Sequence, residues 1–460
     1  MAEAKHPVDE VLPIPRLALY GFQHVLAFYA GAVVVPILVA GALGLSAEQL
    51  VYLINADLFT CGIATIIQSL GFWKFGIRLP IVQGVTFTAV APMIAIGQGA
   101  ENGTAALLAI YGATITAGLV MVLVAPFLGR VLRLFPPVVT GTVLTIIGLV
   151  LLPNAINDAA GGAGAKDHGS WKHLAYAGGT LLFILALYRL RRPFLSSIAV
   201  LLGLVGGTAV SWAFGDTTFD QVGKSDWLGV TTPFHYGAPT FQIGPIIAML
   251  LVMMVTVVET VGDSKATGEI VGKDVTSGDI TRALRADGLS TFLGGVLNAF
   301  PYTCFAQNVG LVRLTGVRSR FVVVAAGVIM MILGLFPKAA AYVAAIPSDV
   351  LGGAAIAMFG MVAVVGIQTL AKADLRQERN ALVVAVSIAA AMVPATIPAF
   401  GDNMPRDVAA ILDSGITLGG ITAIVLNLVF NVFTRTPPES GDGEPLDLTP
   451  PETPRRADSG

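Results

Sequence analysis

Charge is what this chain has least of. Only 12% of its 460 residues are Asp, Glu, Lys or Arg, against roughly 25% in an average soluble domain. A water-soluble globule of this length could not cover its surface with so few. Disorder is excluded as well, because it needs low hydrophobicity and high net charge; here 55% of the residues are hydrophobic and the formal net charge is −2. Cysteine is nearly missing. Cys61 and Cys304 both lie in apolar stretches, so neither a disulfide framework nor a metal-ligand cluster is available. No P-loop, GxSxG or HExxH occurs, so ATP-driven transport and hydrolysis have no support. No cofactor, metal or nucleic-acid partner is expected.

Long apolar runs take the place of charge. They are continuous rather than alternating, which disfavours a β-barrel and points to a polytopic helical membrane protein. A spanning helix needs about 20 apolar residues. The first run, Leu17 to Leu43, is too long for a signal peptide. Others follow at roughly 47–72, 80–98, 104–129, 136–155, 173–188, 194–214, 243–263, 288–300, 302–316, 320–336, 349–370, 380–397 and 410–433, about fourteen in all. The basic residues agree with that number. With the N-terminus inside, 21 Lys and Arg fall in cytoplasmic termini and loops, 5 fall outside, and Arg313 lies within a span. This is the positive-inside bias, and it predicts that residues 1–16 and the Pro- and acid-rich tail 434–460 are cytoplasmic, the tail disordered.

Two runs look unlike simple spans. Leu79–Gly97 opens with Pro80 and then sets Gln83, Gly84, Thr86 and Thr88 among apolar residues; Ala299–Gly316 opens with Pro301 and then sets Thr303, Gln307, Asn308 and Gly310. Non-helical backbone at membrane depth survives only where protein or a water-filled cavity surrounds it. Paired interrupted segments in matching halves are the best sequence pointer to a transporter's site. The two prolines are 221 residues apart, and the first and eighth spans begin 224 apart. Seven spans per half is odd, so the halves are expected to be inverted. Two ordinary helices with N-terminal prolines remain the plainer alternative.

Several polar residues inside these runs could do chemistry. Glu259 and Asp263 are four apart and share a helix face. Ionisable residues inside a membrane are costly and usually functional, although both could equally be helix-end residues beside Lys265. A buried carboxylate can accept two N–H donors from a planar heterocycle and can gain or lose a proton. Gln307 and Asn308 offer amides suited to pairing with a ring amide, or to gluing helices together. His24, beside Gln23 in the first span, is a ligand or an interhelical donor. Phe87 and Phe305, one in each interrupted run, can stack on a ring or fill the core. Asp57 and Asp287 are weaker candidates, and Asp349 and Asp413 are expected to cap helices.

At these residues the chain resembles the nucleobase–ascorbate transporters, in particular the bacterial xanthine and uric acid permeases. Their signature is Gln, Glu or Pro, then Asn, any residue, Gly, four residues, Thr and a variable residue. It is met by Gln307, Asn308, Val309, Gly310, Leu311 to Leu314, Thr315 and Gly316. Glu259-Thr-Val-Gly-Asp263 is similar to the family's acidic motif, and Gln23-His24 to its first-span motif. The resemblance implies about fourteen helices in two inverted seven-helix repeats, at 17–225 and 241–433. Spans 1–4 and 8–11 would form a core, spans 5–7 and 12–14 a gate, and short strands would replace part of spans 3 and 10. By the same resemblance Glu259 and Gln307 hold the base, Phe87 and Phe305 flank it, and backbone near Ala306 contributes. Asp263, His24, Asp287 and Asn308 serve coupling or site architecture. Gln307 with Gly316 points to xanthine or urate, since uracil carriers tend to have Glu at the first signature position. The function implied is cation symport of an oxidised purine across the cell membrane by alternating access. H⁺ is the first expectation for the cation and Na⁺ the alternative; a homodimer is compatible with this. Arg313 departs from the neutral residue expected there, which would modify selectivity or face cytoplasmic water. A uracil carrier, an anion transporter of related architecture and a channel are the rival readings.

Overall fold

The structure, a computed structural model, describes residues 6–128, 136–162, 164–397, 400–401 and 403–433. The expected tail at 434–460 lies outside the described residues. Helix α1 spans Ile14–Ala42 and α2 spans Ala47–Leu70; strand β1, Gln83–Val85, leads through a 3-10 turn at Phe87–Ala89 into α3, Val90–Gln98. Next come α4 (Gly103–Val124), α5 (Pro137–Ala159), α6 (Trp171–Arg189), α7 (Pro193–Ser197), α8 (Ala199–Ala213) and α9 (Asp220–Lys224). The second half opens with α10 (Ile243–Val271) and α11 (Ser277–Val296), followed by strand β2 (Tyr302–Cys304) and α12 (Ala306–Thr315). It continues with α13 (Arg320–Leu333), α14 (Pro337–Ala344), α15 (Ser348–Leu370), α16 (Glu378–Thr396), α17 (Arg406–Leu412) and α18 (Gly415–Asn427).

Local chemistry sets many of these boundaries. Ser46 and Gln49 cap α2 reciprocally, each side chain accepting from the other's backbone N–H. Thr276 and Asp279 do the same for α11. Gly272 and Gly316 end α10 and α12 at φ 75° and 67°, a left-handed conformation that favours glycine.

Among the described residues, eight helices are long and apolar enough to cross a membrane, or nine if α13 and α14, bent by 84°, count as one span. Several expected spans take other forms. The third and tenth are each a strand followed by a short helix, and α8, in the seventh, has only 15 residues. Two boundaries are corrected. Helix α11 starts at Ser277 rather than near 288, because the Thr276–Asp279 cap places Arg282, Arg285 and Asp287 within the helix. Helix α10 continues to Val271, so Glu259 and Asp263 are interior residues and not helix-end ones. The expected caps differ too. Asp349 lies in the first turn of α15, where its carboxylate accepts from Val350 N at 2.7 Å and meets His173. Asp413 accepts from Gly401 N at 2.9 Å.

Packing exchanges the two halves. Helix α2 lies along α13 and α4 along α11; α1 meets α13 and α10 meets α4; α5 lies along α15. Swapping the corresponding spans turns each of the first four contacts into another of them and leaves the fifth as it is, the pattern that two repeats related by a twofold axis produce. Helices α1–α4 and α10–α14 pack mainly among themselves with both strands, and α5, α6, α8, α15, α16 and α18 form a second group. In that group α5 and α15 touch backbone to backbone: a Cβ on Gly148 would lie 2.5 Å from Ala363 N, and one on Gly366 would lie 2.3 Å from Thr145 N. Small residues allow such approaches between membrane helices.

Candidate substrate site

The two interrupted runs meet. Strands β1 and β2 pair antiparallel with Gln83 opposite Cys304, Gly84 opposite Thr303 and Val85 opposite Tyr302. Thr86 N donates to Pro301 O and Phe305 N to Val82 O, both at 3.0 Å, so the ladder extends a step at each end. This pairing satisfies backbone that would otherwise be orphaned inside a membrane. Side chains of α2 complete it: Gln83 N donates to Thr65 Oγ1 at 3.0 Å and Ser69 Oγ to Ile81 O at 2.8 Å. Gly84 has no room for a side chain, because a Cβ there would lie 2.2 Å from the Phe28 ring and 2.6 Å from that of Phe305.

Glu259, midway along α10, faces this junction. Thr303 Oγ1 donates to its Oε2 at 3.0 Å and Thr88 Oγ1 to its Oε1 at 3.5 Å. Each interrupted run therefore supplies one hydroxyl to a different oxygen of one carboxylate. A carboxylate can accept about four hydrogen bonds, so acceptor capacity is left for a ligand. Asp263 is half-buried one turn further along the same face. None of the ion pairs among the described residues involves Glu259, Asp263 or Asp287.

Asp287 is fully buried beneath the strands. Gln83 Nε2 and Gln68 Nε2 both donate to its Oδ1, the latter at 3.2 Å, and Thr260 Oγ1 donates to its Oδ2 at 2.5 Å. His24 and Asn308 also meet: Asn308 Nδ2 lies 3.1 Å from His24 Nδ1 and donates to His24 O at 3.0 Å. These two residues tie α1 to the first turn of α12, leaving Asn308 Oδ1 buried without a described partner. Gln307 and Ala306 are exposed at the start of α12, and no side chain caps that helix. Gln307 makes no hydrogen bond with a described residue, so its amide is free to serve a ligand.

The two aromatic candidates sit differently. Phe305 is buried against Phe28, ring centroids 4.7 Å apart and edge-on. Phe87 is half-buried and meets Phe359 of α15. Arg313 is exposed on α12. Of the candidate residues, Glu259 is joined to both interrupted runs, Asp287 to β1, and His24 to Asn308. Sequence reasoning passed over Gln68, Thr260 and the roles of Thr88 and Thr303; the one signal for Gln68 was an amide in an apolar span.

Paired interrupted spans that meet at an intramembrane carboxylate define a membrane transporter. Comparison with known proteins narrows this. A model described as Permease family matches residues 15–400. The xanthine permease of Bacillus subtilis is 45% identical over 415 residues, covering 90% of this chain and 94% of that protein. The uric acid transporter UacT of Escherichia coli is 44% identical over 428 residues, covering 93% and 88%. Among solved structures, the transmembrane domain of a cyanobacterium bicarbonate transporter, BicA, has a TM-score of 0.58 at 15% identity, covering 91% of this chain and 98% of that one. The murine anion transporter Slc26a9 in its inward-facing state has a TM-score of 0.60 at 14% identity, covering 92% and 70%. At such low identity these two structures speak for the fold alone. This chain belongs to the matched permease family, the nucleobase–ascorbate transporters, and is a multi-pass membrane transporter rather than an enzyme.

Proposed function

We propose that this chain imports an oxidised purine, xanthine or uric acid or both, by symport with a cation, H⁺ before Na⁺. The reading is supported by relatives named xanthine and uric acid permeases at 44–45% identity over about nine-tenths of the chain. The observation that carries the site is Glu259, held by one threonine from each interrupted run, on a helix that packs against α12, where the Gln307 amide is uncommitted. An oxidised purine presents ring N–H donors beside carbonyl acceptors. Glu259 accepts the N–H groups, Gln307 pairs with a ring amide, and Phe87 and Phe305 flank the ring, with Ala306 backbone at its edge. Asp263 carries or relays the proton, while Asp287, His24 and Asn308 hold the site's architecture.

Fourteen spans in two inverted seven-helix repeats complete this reading. The first packing group acts as a transport core and the second as a gate, and access alternates by movement of one against the other. Both termini lie in the cytoplasm and the chain resides in the cell membrane. An anion cargo, as in the two transporters of similar fold, is disfavoured by the carboxyl groups of Glu259, Asp287 and Asp57, each bonded to a strand residue and without a basic partner among the described residues.

The test uses two variants. Glu259→Gln keeps the shape but turns one acceptor into a donor, and is expected to weaken binding by about 1–3 kcal/mol, the cost of a mispaired buried group. Asp263→Asn is expected to bind xanthine yet fail to concentrate it under an imposed pH gradient. Binding to purified protein and uptake into vesicles measure both. Normal affinity in Glu259→Gln rejects the site; uracil uptake without competition from xanthine or urate rejects the purine.

A further inference from the structure

We propose that Asp57 is a positioning residue for the substrate site, acting through Tyr302 on strand β2; this rests on the assignment of Glu259 to the substrate. Asp57 lies on α2 and is 1% exposed. Tyr302 OH donates to its Oδ1 at 2.9 Å, with the Asp57 backbone carbonyl as a second, longer acceptor at 3.3 Å, and Cys61 Sγ donates to its Oδ2 at 3.6 Å. No ion pair among the described residues includes it. A buried carboxyl and a buried tyrosine hydroxyl are each costly unless bonded, and an apolar pair would fill the same space without that cost. Their joint presence therefore needs a reason beyond packing.

The geometry of β2 supplies one. Its residues reach two helices directly, and a third through a pair of side-chain amides. Tyr302 holds Asp57 of α2, Thr303 donates to Glu259 of α10, and Cys304 Sγ lies 3.7–3.8 Å from the Gln68 and Gln83 amides that bind Asp287 of α11. Alternation along a strand puts Tyr302 and Cys304 on one face and Thr303 on the other. The Asp57–Tyr302 bond anchors one face, and Glu259 depends on the position of the other. Of its two hydroxyl partners the one on β2 is closer, 3.0 Å against 3.5 Å, so a shift of the strand alters the carboxylate's orientation directly. Tyr302 N, which donates to Thr291 Oγ1 at 3.1 Å, fixes the backbone but not the ring, which leaves Asp57 to set the strand's tilt.

A merely structural Asp57 would change how much protein folds and leave the ranking of bases untouched. The experiment measures xanthine binding to the purified full-length chain, and competition by urate, hypoxanthine and uracil, at equal amounts of folded protein. Tyr302→Phe and Asp57→Ala are expected to weaken xanthine binding by roughly three- to tenfold and to reorder the competitors, the scale of a small misplacement at a binding site. Their double variant should be no worse than Tyr302→Phe alone, because that change already removes the side-chain bond that Asp57→Ala removes, together with the longer one to the Asp57 carbonyl. Asp57→Asn keeps an acceptor for the tyrosine hydroxyl and should restore most of the ranking lost in Asp57→Ala. If Asp57→Ala does not fold, Tyr302→Phe and Asp57→Asn still decide. Wild-type constants and ranking in Tyr302→Phe overturn the proposal, as does an Asp57→Asn that reorders the bases as Tyr302→Phe does. Glu259→Gln serves as the reference: if it binds poorly while Tyr302→Phe is normal, this inference alone falls, and if it binds normally the site reading falls and takes this inference with it.

Discussion

Phe87 and Phe359 meet edge to face, ring centroids 6.0 Å apart and planes at 83°. Phe87 follows strand β1 in one packing group, and Phe359 is buried in α15 of the other. The contact is a seam between the groups beside the proposed site. Edge-to-face pairs contribute about 0.5–1.5 kcal/mol beyond area burial. Phe359→Ala should therefore raise KM for xanthine several-fold, while Phe359→Leu retains more of the support. Initial uptake rates at matched protein amounts give the answer, and an unchanged KM in Phe359→Ala would separate Phe87 from substrate binding.

Replacing Gln307 with Glu exchanges donors for acceptors on an exposed side chain that has no described partner. The ranking among bases should change, with xanthine and urate losing ground to uracil. Competition uptake reads this, and an unaltered ranking would take Gln307 out of base recognition.

Gly84→Ala tests the tightest point of the site. A new methyl would overlap both Phe28 and Phe305, and overpacking of this kind costs about 1–3 kcal/mol. A lower Tm with weaker xanthine binding is the expected result. Wild-type values for both would mean that the two rings can retreat.

Orientation can be checked from outside the cell. Cysteines introduced in place of Lys5 and Arg455 should resist an impermeant thiol reagent in intact cells and react after the membrane is opened. Efficient labelling of either in intact cells contradicts cytoplasmic termini.

Outside the spans, Asp216 accepts from Tyr176 OH at 2.6 Å and pairs with Lys172. The Lys172 bond first, and the Tyr176 bond second, hold its carboxyl below the usual carboxylate range. A lowered folded-state pKa gives stability that is present above the unfolded-state value and is lost as pH falls through the folded one. Because the group is exposed and screened, Asp216→Asn should lower Tm only slightly at pH 7. That small difference from the unaltered chain should vanish in strong acid. A large Tm loss at pH 7 would mark the contact as structural.

Much of the architecture was legible in composition. Few charges and long apolar runs dictated a membrane bundle, and Pro80 and Pro301 marked the runs that begin as strands. The start of α11 was misread because Arg282, Arg285 and Asp287 lower its hydropathy; the Thr276–Asp279 capping pair, a signal local in sequence, indicated the true start. In the site, Glu259 and the Gln307–Asn308 pair stood out as polar residues in apolar surroundings. Their partners did not. Gln68 meets Asp287 across 219 positions and Tyr302 meets Asp57 across 245; no local periodicity encodes contacts of that range. Thr88 and Thr303 were visible as hydroxyls, but their shared target became evident only once the two runs were side by side.

The three-residue pairing of β1 with β2 also bears on how the chain is made. Strand β1 emerges during synthesis more than two hundred residues ahead of its partner. Thr65 of α2 can bond the N–H and C=O of Gln83 at once, but until β2 arrives the groups that the ladder satisfies face a bilayer that offers no hydrogen bonds, at several kcal/mol for each unsatisfied group. The first half is thus expected to wait with its third span incompletely inserted or shielded by neighbouring helices. Insertion would finish only when the tenth span joins, so that the site is completed late and in one step. A chain cut between α9 and α10 should then be stable in the membrane only when the missing half is supplied as a second polypeptide.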